Sequence, residues 1–349
     1  MRFYTKQHTY YCGVDLHANT MYLCVLNEAG EILLQRNIPA QPQAFLHSIA
    51  QYREQLVVGV ECIYCWYWLA DLCRAEAIEI VLGHALYLKA IHGGKAKNDK
   101  LDSEKLARLL RGGAFPMSYV YPREMRSTRD LMRRRLFFVN KRAELMAHVQ
   151  MTHHQYNLPA PGKKIAYRAN RENLELAFDD ESAKRMVESD LTMIDSYSEE
   201  IRKLEWFIEK QGKAAVNNAQ ALSLLKSVPG IGDVLSLTLL YEIENIERFP
   251  SVQKFCAYAR LGRPEKTSAG KSAGGGGKKI GNPHLKWAFS EAAALMLRSS
   301  PEAKQYKERL ERQYGKPKAM SLLAHRLGKA VYFMMLRGKP FDQHKFFAQ

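Results

Sequence analysis

The first third of the chain alternates short apolar runs with turn residues. Thr9–His17 and Met21–Leu26 read as strands, Asn27–Gly30 as a turn, and Glu31–Gln35 as the next strand of a meander. Pro42–Tyr52 has helical spacing, Gln55–Glu61 is a buried strand, Trp66–Glu76 a helix and Ile78–Leu82 a further strand. Leu101, Leu106, Leu109 and Leu110 then mark a helix on which Asp99 and Asp102, one turn apart, share a face. From Arg123 to about His154 the chain is helical and basic, and Arg133–Arg135 lie within it. Proline and glycine in Leu158–Lys164 break that run. In the helix that follows, to about Gln211, an apolar seam steps by three and four through Val187, Leu191, Ile194, Tyr197, Ile201, Leu204 and Ile208. Such a near-heptad seam predicts an antiparallel hairpin, paired within the chain or between subunits.

The remainder is mostly helical. Leu222–Leu240 reads as helix, Pro-Gly-Ile-Gly turn, helix, with Gly230 and Gly232 in the turn. Phe249–Gly262 is a helix ending at glycine, and Asn282 with Pro283 opens another. Between them, Arg263–Gly281 is rich in glycine and lysine and holds nothing that can pack a core, so it is expected to be a loop. The organisation predicted is residues 1–122, α/β; 123–213, a helical hairpin or coiled coil; and 214–349, mostly α-helical.

Charge separates these parts. The 349 residues carry 52 Lys plus Arg against 36 Asp plus Glu, a net +16 that points to a polyanionic partner. Residues 213–349 hold 23 basic and 10 acidic side chains, or +13, leaving +3 for residues 1–212. No apolar run is long enough for a membrane span and no secretory leader opens the chain, so a cytoplasmic protein without membrane contact is expected. The six cysteines lie mostly in apolar stretches, as reduced core thiols would. Cys62 and Cys65 form one Cys-x-x-Cys with no second pair to complete a zinc site.

Two groups of residues carry candidate chemistry. Asp15 interrupts an apolar strand, where an acid is costly unless paired or bound to a cation. Glu61 ends the fourth strand, and three strands followed by alternating helices and strands match an RNase H-like order, which would set these two acids side by side. With Asp99 and Asp102 they would make a two-metal phosphoryl-transfer site of four carboxylates. The alternative for the helical pair is a solvated N-terminus, where aspartate is favoured anyway. His17 and His84 could be ligands, but such histidines more often only satisfy neighbours, and they are left out of the set. In the second group, the Pro-Gly-Ile-Gly turn resembles a helix-hairpin-helix, whose glycines admit a DNA phosphate to a helix N-terminus; a glycine-capped turn is the alternative. Ser268 sits beside small Ala269 and Gly270, with Lys266 and Lys271 close in sequence and Lys278 and Lys279 beyond. A serine so placed suits approach to a phosphodiester, and a flexible linker is the alternative.

Together, Gly-Val-Asp15, Val-Glu61, Asn-Asp99-Lys-Leu-Asp102, Val-Pro-Gly-Ile-Gly232, Arg-Phe-Pro250, Ala-Tyr-Ala-Arg-Leu-Gly262, a Ser-x-Gly loop and Gly281-Asn-Pro-His-Leu-Lys286 resemble the DEDD transposases of the IS110 insertion-sequence group over nearly the whole chain. The resemblance implies a RuvC-like N-terminal domain and a C-terminal transposase domain with a nucleophilic serine. It also implies Mg²⁺ at Asp15, Glu61, Asp99 and Asp102, an element-encoded bridge RNA, donor and target double-stranded DNA, a dimer or tetramer, and action at a prokaryotic nucleoid. The family loop usually reads Ser-Ser-Gly-Gly, whereas here Ser268-Ala-Gly-Lys-Ser272-Ala precedes four glycines. Counting from Pro264 and from Gly281-Asn282 favours Ser268, with Ser272 as the fallback.

Three functions compete at this stage. One is an RNA-guided recombinase in which serine and metal-bound acids act together, within a subunit or across an interface. Another is a metal-dependent structure-specific nuclease with water as nucleophile, and the third is a non-catalytic nucleic-acid-binding protein. All three share one consequence of the +13 in residues 213–349. Affinity for DNA or RNA should fall roughly 10³-fold between about 50 and 200 mM salt if six or more phosphates are contacted. Fluorescence anisotropy across a salt series checks this, and a flat response would exclude a phosphate-dominated interface.

Overall fold

The computed structural model describes residues 2–91, 98–159, 161, 165–214, 219–262, 265–268, 271–275 and 280–348. The chain divides into two units, residues 1–123 and 124–349. In the first, a short β1 (Phe3–Tyr4) precedes the antiparallel meander β2 (Tyr10–Leu16), β3 (Thr20–Asn27) and β4 (Ile32–Pro39). Then come α1 (Pro42–Ile49), β5 (Leu56–Glu61), α2 (Tyr67–Ala75), β6 (Glu79–Gly83), α3 (Ala85–Ile91), α4 (Asp99–Arg111) and β7 (Phe115–Pro116). The main sheet runs β4-β3-β2-β5-β6, with β2, β5 and β6 mutually parallel. β1 and β7 form a separate antiparallel pair. The sequence pattern anticipated the five sheet strands within a few residues; α3 is an addition to it.

Period-two alternation gives this sheet two buried faces. Cys12, Val14, Leu16, Val58 and Val60 pack on α1 and α2 through Phe45, Ile49, Leu69 and Cys73. Tyr11, Val57 and Val81 pack on the opposite side with Leu106, Leu109 and Leu110 of α4 and Phe115. Gly13 and Gly59 lie on this second face. A Cβ at Gly13 would stand 2.0 Å from the Ser103 carbonyl oxygen and 2.5 Å from the Ala107 nitrogen, so the α4 backbone rests directly on β2. At Gly59 it would meet Leu110 Cδ1 at 2.6 Å. The face of α4 turned to the sheet is therefore Ser103, Leu106, Ala107 and Leu110, while Leu101, counted among its apolar positions in the sequence, is exposed.

The second unit opens with two long helices, α5 (Arg123–Gln155) and α6 (Glu181–Ala214). His148 bonds Asp190 at 2.6 Å, Arg142 bonds Ser198 at 3.3 Å, Arg135 bonds Glu205 at 2.9 Å, and Met132 packs with Ile208. Ascending positions on one helix meet descending ones on the other, an antiparallel hairpin closed within the chain. The expected seam faces inward, with Val187, Ile194, Ile201 and Ile208 buried. Of the three consecutive arginines, Arg133 and Arg135 are held in ion pairs to Glu242 and Glu205.

Next come α7 (Ala219–Lys226), α8 (Asp233–Ile243) and α9 (Val252–Tyr258). The segment expected to be a loop contains a β-hairpin instead: β8 (Glu265–Ser268) pairs antiparallel with β9 (Lys271–Gly275). Backbone hydrogen bonds need no apolar side chain, and the two residues between the strands are the length most favourable to a hairpin. The last helices are α10 (Pro283–Ser299), α11 (Pro301–Tyr314), α12 (Lys316–Arg337) and α13 (Gln343–Phe347). Their core is Leu225, Leu239, Phe255, Leu285, Phe289, Met296, Leu323, Leu327 and Val331. Among the described residues no helix is long and apolar enough to cross a membrane.

The close seat of α4 sets a test. Gly13→Ala should cost about 3 kcal/mol or more, because the added methyl meets backbone that cannot rotate away. Urea unfolding of wild type and variant reads the difference, and a cost under about 0.5 kcal/mol would show that α4 is not fixed by this contact.

Candidate metal centre and serine hairpin

Asp15 lies one residue past the Val14↔Val60 pair on β2, and Glu61 one residue past it on β5. Adjacent parallel strands thus bring these two acids level at their carboxyl ends, on the face that carries Gly13 and Gly59. The first turn of α4 reaches the same end. Asn98 caps this helix, its side chain accepting from the Leu101 amide at 3.1 Å, and Asp99 and Asp102 follow in the first turn.

His17 completes the cluster. Its Nε2 lies 3.4 Å from Asp15 Oδ2 and 3.5 Å from Asp99 Oδ2, and the donor atoms of Asp15, His17 and Asp99 all fall within 4.8 Å of one another. The backbone holds His17 too, its amide donating to the Thr20 carbonyl at 2.8 Å where β2 turns into β3. Burial pushes the Asp15 carboxyl above its ordinary range. His17 opposes that rise, and the charges of Asp99 and Asp102 add to it. Asp102 stands outside the three-donor cluster and accepts from Lys105 Nζ at 3.1 Å. Glu61 is likewise outside it, though on the same sheet face. A half-buried carboxylate near two others, with an imidazole nitrogen at hand, is a donor set that fits a divalent cation. Sequence reasoning had set His17 aside. Its signal was position: two residues beyond the acid that interrupts β2.

The second predicted group lies in residues 124–349. Ser268 is the last residue of β8, paired with Lys271, and Ser272 lies opposite Thr267. Lys266 is in β8 and Lys271 opens β9; Lys278 and Lys279 lie outside the described residues. Gly230 takes φ +90°, and a Cβ there would stand 2.5 Å from the Met296 nitrogen of α10, so the turn lies close against that helix. Gly232, the N-cap of α8, has open space where a Cβ would be.

A buried charge network ties the exit of the serine hairpin to the core. Glu242 on α8, 2% exposed, takes Arg133 Nε at 2.6 Å, Arg129 Nε at 3.0 Å and Asn282 Nδ2 at 2.7 Å. Asn282 Oδ1 in turn caps α10, accepting from the His284 and Leu285 amides at 2.9 and 3.1 Å. Gly281, at φ +94°, brings the chain against the Tyr258 carbonyl, where a Cβ would stand at 2.6 Å. The chain is thereby held at the start of α10.

The chain is similar to known transposases. A family model described as a transposase, of the DEDD type, matches residues 12–157, which include Asp15, Glu61, Asp99 and Asp102. A second, described as the transposase IS116/IS110/IS902 family, matches residues 222–308, which include the glycine turn and the serine hairpin. The transposase for insertion sequence element IS1111A of Coxiella burnetii (strain RSA 493 / Nine Mile phase I) is 22% identical over 289 residues, 82% of this chain and 77% of that protein. These matches define an insertion-sequence transposase, an enzyme acting on DNA. The chain belongs to the IS110 family of transposases.

Glu242 makes a measurable contribution. Burial alone would raise its carboxyl, but the Arg133 hydrogen bond, the charges of Arg129 and Arg133 and the Asn282 amide override it and hold it at about 2. A depressed carboxyl stabilises the fold above its unfolded value near 4.5, and that stability is lost as pH falls toward 2. The span corresponds to about 3 kcal/mol. Glu242→Gln should lose roughly 3–5 kcal/mol at neutral pH by leaving two arginines without their counter-charge. It should also flatten the stability-versus-pH curve between about 4.5 and 2. Denaturant melts across pH check both, and a variant matching wild type at pH 7 would refute this assignment.

Proposed function

We propose that this transposase cuts and rejoins DNA through a covalent phosphoserine at Ser268, assisted by a metal-binding carboxylate site in a RuvC-like N-terminal domain. What carries the reading is the Asp15–Asp99 cluster at the carboxyl end of the central strands, built by α4 folding back onto β2. The strand order β4-β3-β2-β5-β6, with the first acid on the central strand, supports the RuvC-like assignment. Asp15, Glu61, Asp99 and Asp102 hold Mg²⁺, which when bound lowers the cost of charge developing on the phosphate. Ser268 Oγ forms the ester bond to phosphorus as the bond to one strand breaks, and net the serine proton ends on the released deoxyribose hydroxyl. One phosphodiester replaces another, so reversal onto a new hydroxyl rejoins strands without an external energy source. Lys266, Lys271, Lys278 and Lys279 neutralise phosphate oxygens beside the serine, and the turn of Gly230 and Gly232 receives a backbone phosphate at α8. The basic residues 213–349 serve donor and target duplexes and an element-encoded guide RNA, in a homo-oligomer.

Mass spectrometry of protein trapped on a nicked DNA substrate tests the serine. Wild type should carry a nucleotide on Ser268, and Ser268→Ala should bind DNA with no adduct. Asp15→Asn should keep the fold and lose strand exchange by about 10³-fold or more. An adduct on Ser272 would move the nucleophile four residues along. Metal-dependent cleavage with no adduct on either serine would establish the hydrolytic nuclease instead.

A further inference from the structure

We propose that His17 is itself a ligand of the divalent metal, making a mixed imidazole–carboxylate site that favours Mn²⁺ over Mg²⁺. The inference rests on the metal reading above and deepens it. Four carboxylates alone would be a hard all-oxygen site, the kind that suits Mg²⁺. Here the donors brought together are Asp15, His17 and Asp99, and two of the four expected carboxylates stand outside that cluster.

The distances fit one ion. With metal–ligand bonds near 2.1 Å, donors on neighbouring octahedral vertices lie about 3.0 Å apart and opposite donors about 4.2 Å. His17 Nε2 is 3.4 Å from one carboxylate oxygen and 3.5 Å from the other, and all three donors fall within 4.8 Å. At 3.4 and 3.5 Å both contacts are at ion-pair distance and long for a hydrogen bond, so an ion drawn in between the donors would shorten all of its contacts at little cost. One ring nitrogen directed between two acids, with its backbone anchored to Thr20, is a geometry that a shared cation would fit.

Position on the fold explains why a histidine is available. Asp15 faces α4, Leu16 faces the opposite core, and His17 returns to the side of Asp15 at the first residue beyond the strand. There the side chain is half exposed and can rotate onto an ion that Asp15 holds from within. Imidazole binds first-row transition ions better than it binds Mg²⁺, so the expected order of affinity is Mn²⁺ above Mg²⁺. The carboxylate partners keep the site within reach of both ions.

Electron paramagnetic resonance of Mn²⁺ bound to the full-length protein tests this without any DNA reaction. Wild type should show nitrogen-14 modulation from a directly bound imidazole. Asp15→Asn should abolish it, tying the signal to this site. His17→Ala should remove the modulation and weaken Mn²⁺ by at least the roughly tenfold that loss of even an outer partner costs. Mg²⁺, measured by competition, should weaken several-fold less. Mn²⁺ that binds through Asp15 without nitrogen modulation would overturn the inference and leave the carboxylate site standing. Absence of any Asp15-dependent Mn²⁺ binding would overturn both.

Discussion

At Gly13 the backbone of α4 comes so near β2 that no side chain fits between them, and the acid site follows from that contact. A helix held off by leucines would sit several ångströms further from the sheet. Its first turn would then carry Asp99 away from Asp15. Because Ser103 and Ala107 are the residues over Gly13, the axis drops, and the helix N-terminus overhangs the carboxyl ends of β2 and β5. Gly59 permits the same approach one strand over, where Leu110 fills the space. The glycines are thus positioning residues for carboxylates two places further along their own strands.

The second unit solves its ordering problem with charge instead of proximity. Glu242 has no route to water, so it needs donors from every side. Those donors come from α5 and from the cap of α10. One buried carboxylate thereby fixes three helices that are remote in sequence, and it fixes the chain where it leaves the serine hairpin. Replacing such a network by apolar residues could be as stable, but it would not specify which rotation of α5 meets α8. Arg171 does comparable work beneath the hairpin of α5 and α6, bonding Asp195 and the carbonyls of Ile165 and Ala166. Arg133 and Arg135, half-buried on α5, add ion pairs to Glu242 and Glu205.

Much of this was legible before any coordinates. Asp15 announced itself as a charge inside an apolar strand, and the parallel register then needed only the strand order to place Glu61 beside it. The seam of α6 was legible because its period depends on one partner helix. Other features were hidden for physical reasons. Leu101 fits a helical pattern, yet the face of α4 that turns inward is chosen by a glycine far away on β2. The pairing of β8 with β9 is made by backbone groups, while strand signals in sequence come from β-branched and aromatic side chains, of which these two strands hold Thr267 alone. His17 shares the strand period of Asp15, but what makes it interesting is a helix terminus arriving from another part of the chain.

Electrostatics gives the two units different tasks. Residues 1–123 carry 13 basic and 11 acidic side chains, and residues 124–349 carry 39 and 25. A phosphate approaching an uncompensated carboxylate to about 4 Å is repelled by about 4 kcal/mol at an effective dielectric near 20. An acid site therefore cannot recruit DNA by itself, and lysines packed around it would compete with a cation for its oxygens, as Lys105 already does at Asp102. Putting the surplus of base into the other unit avoids that competition. The near-neutral first unit leaves its carboxylates with few competing cations, and the surplus of base in residues 124–349 supplies the attraction for a polyanion.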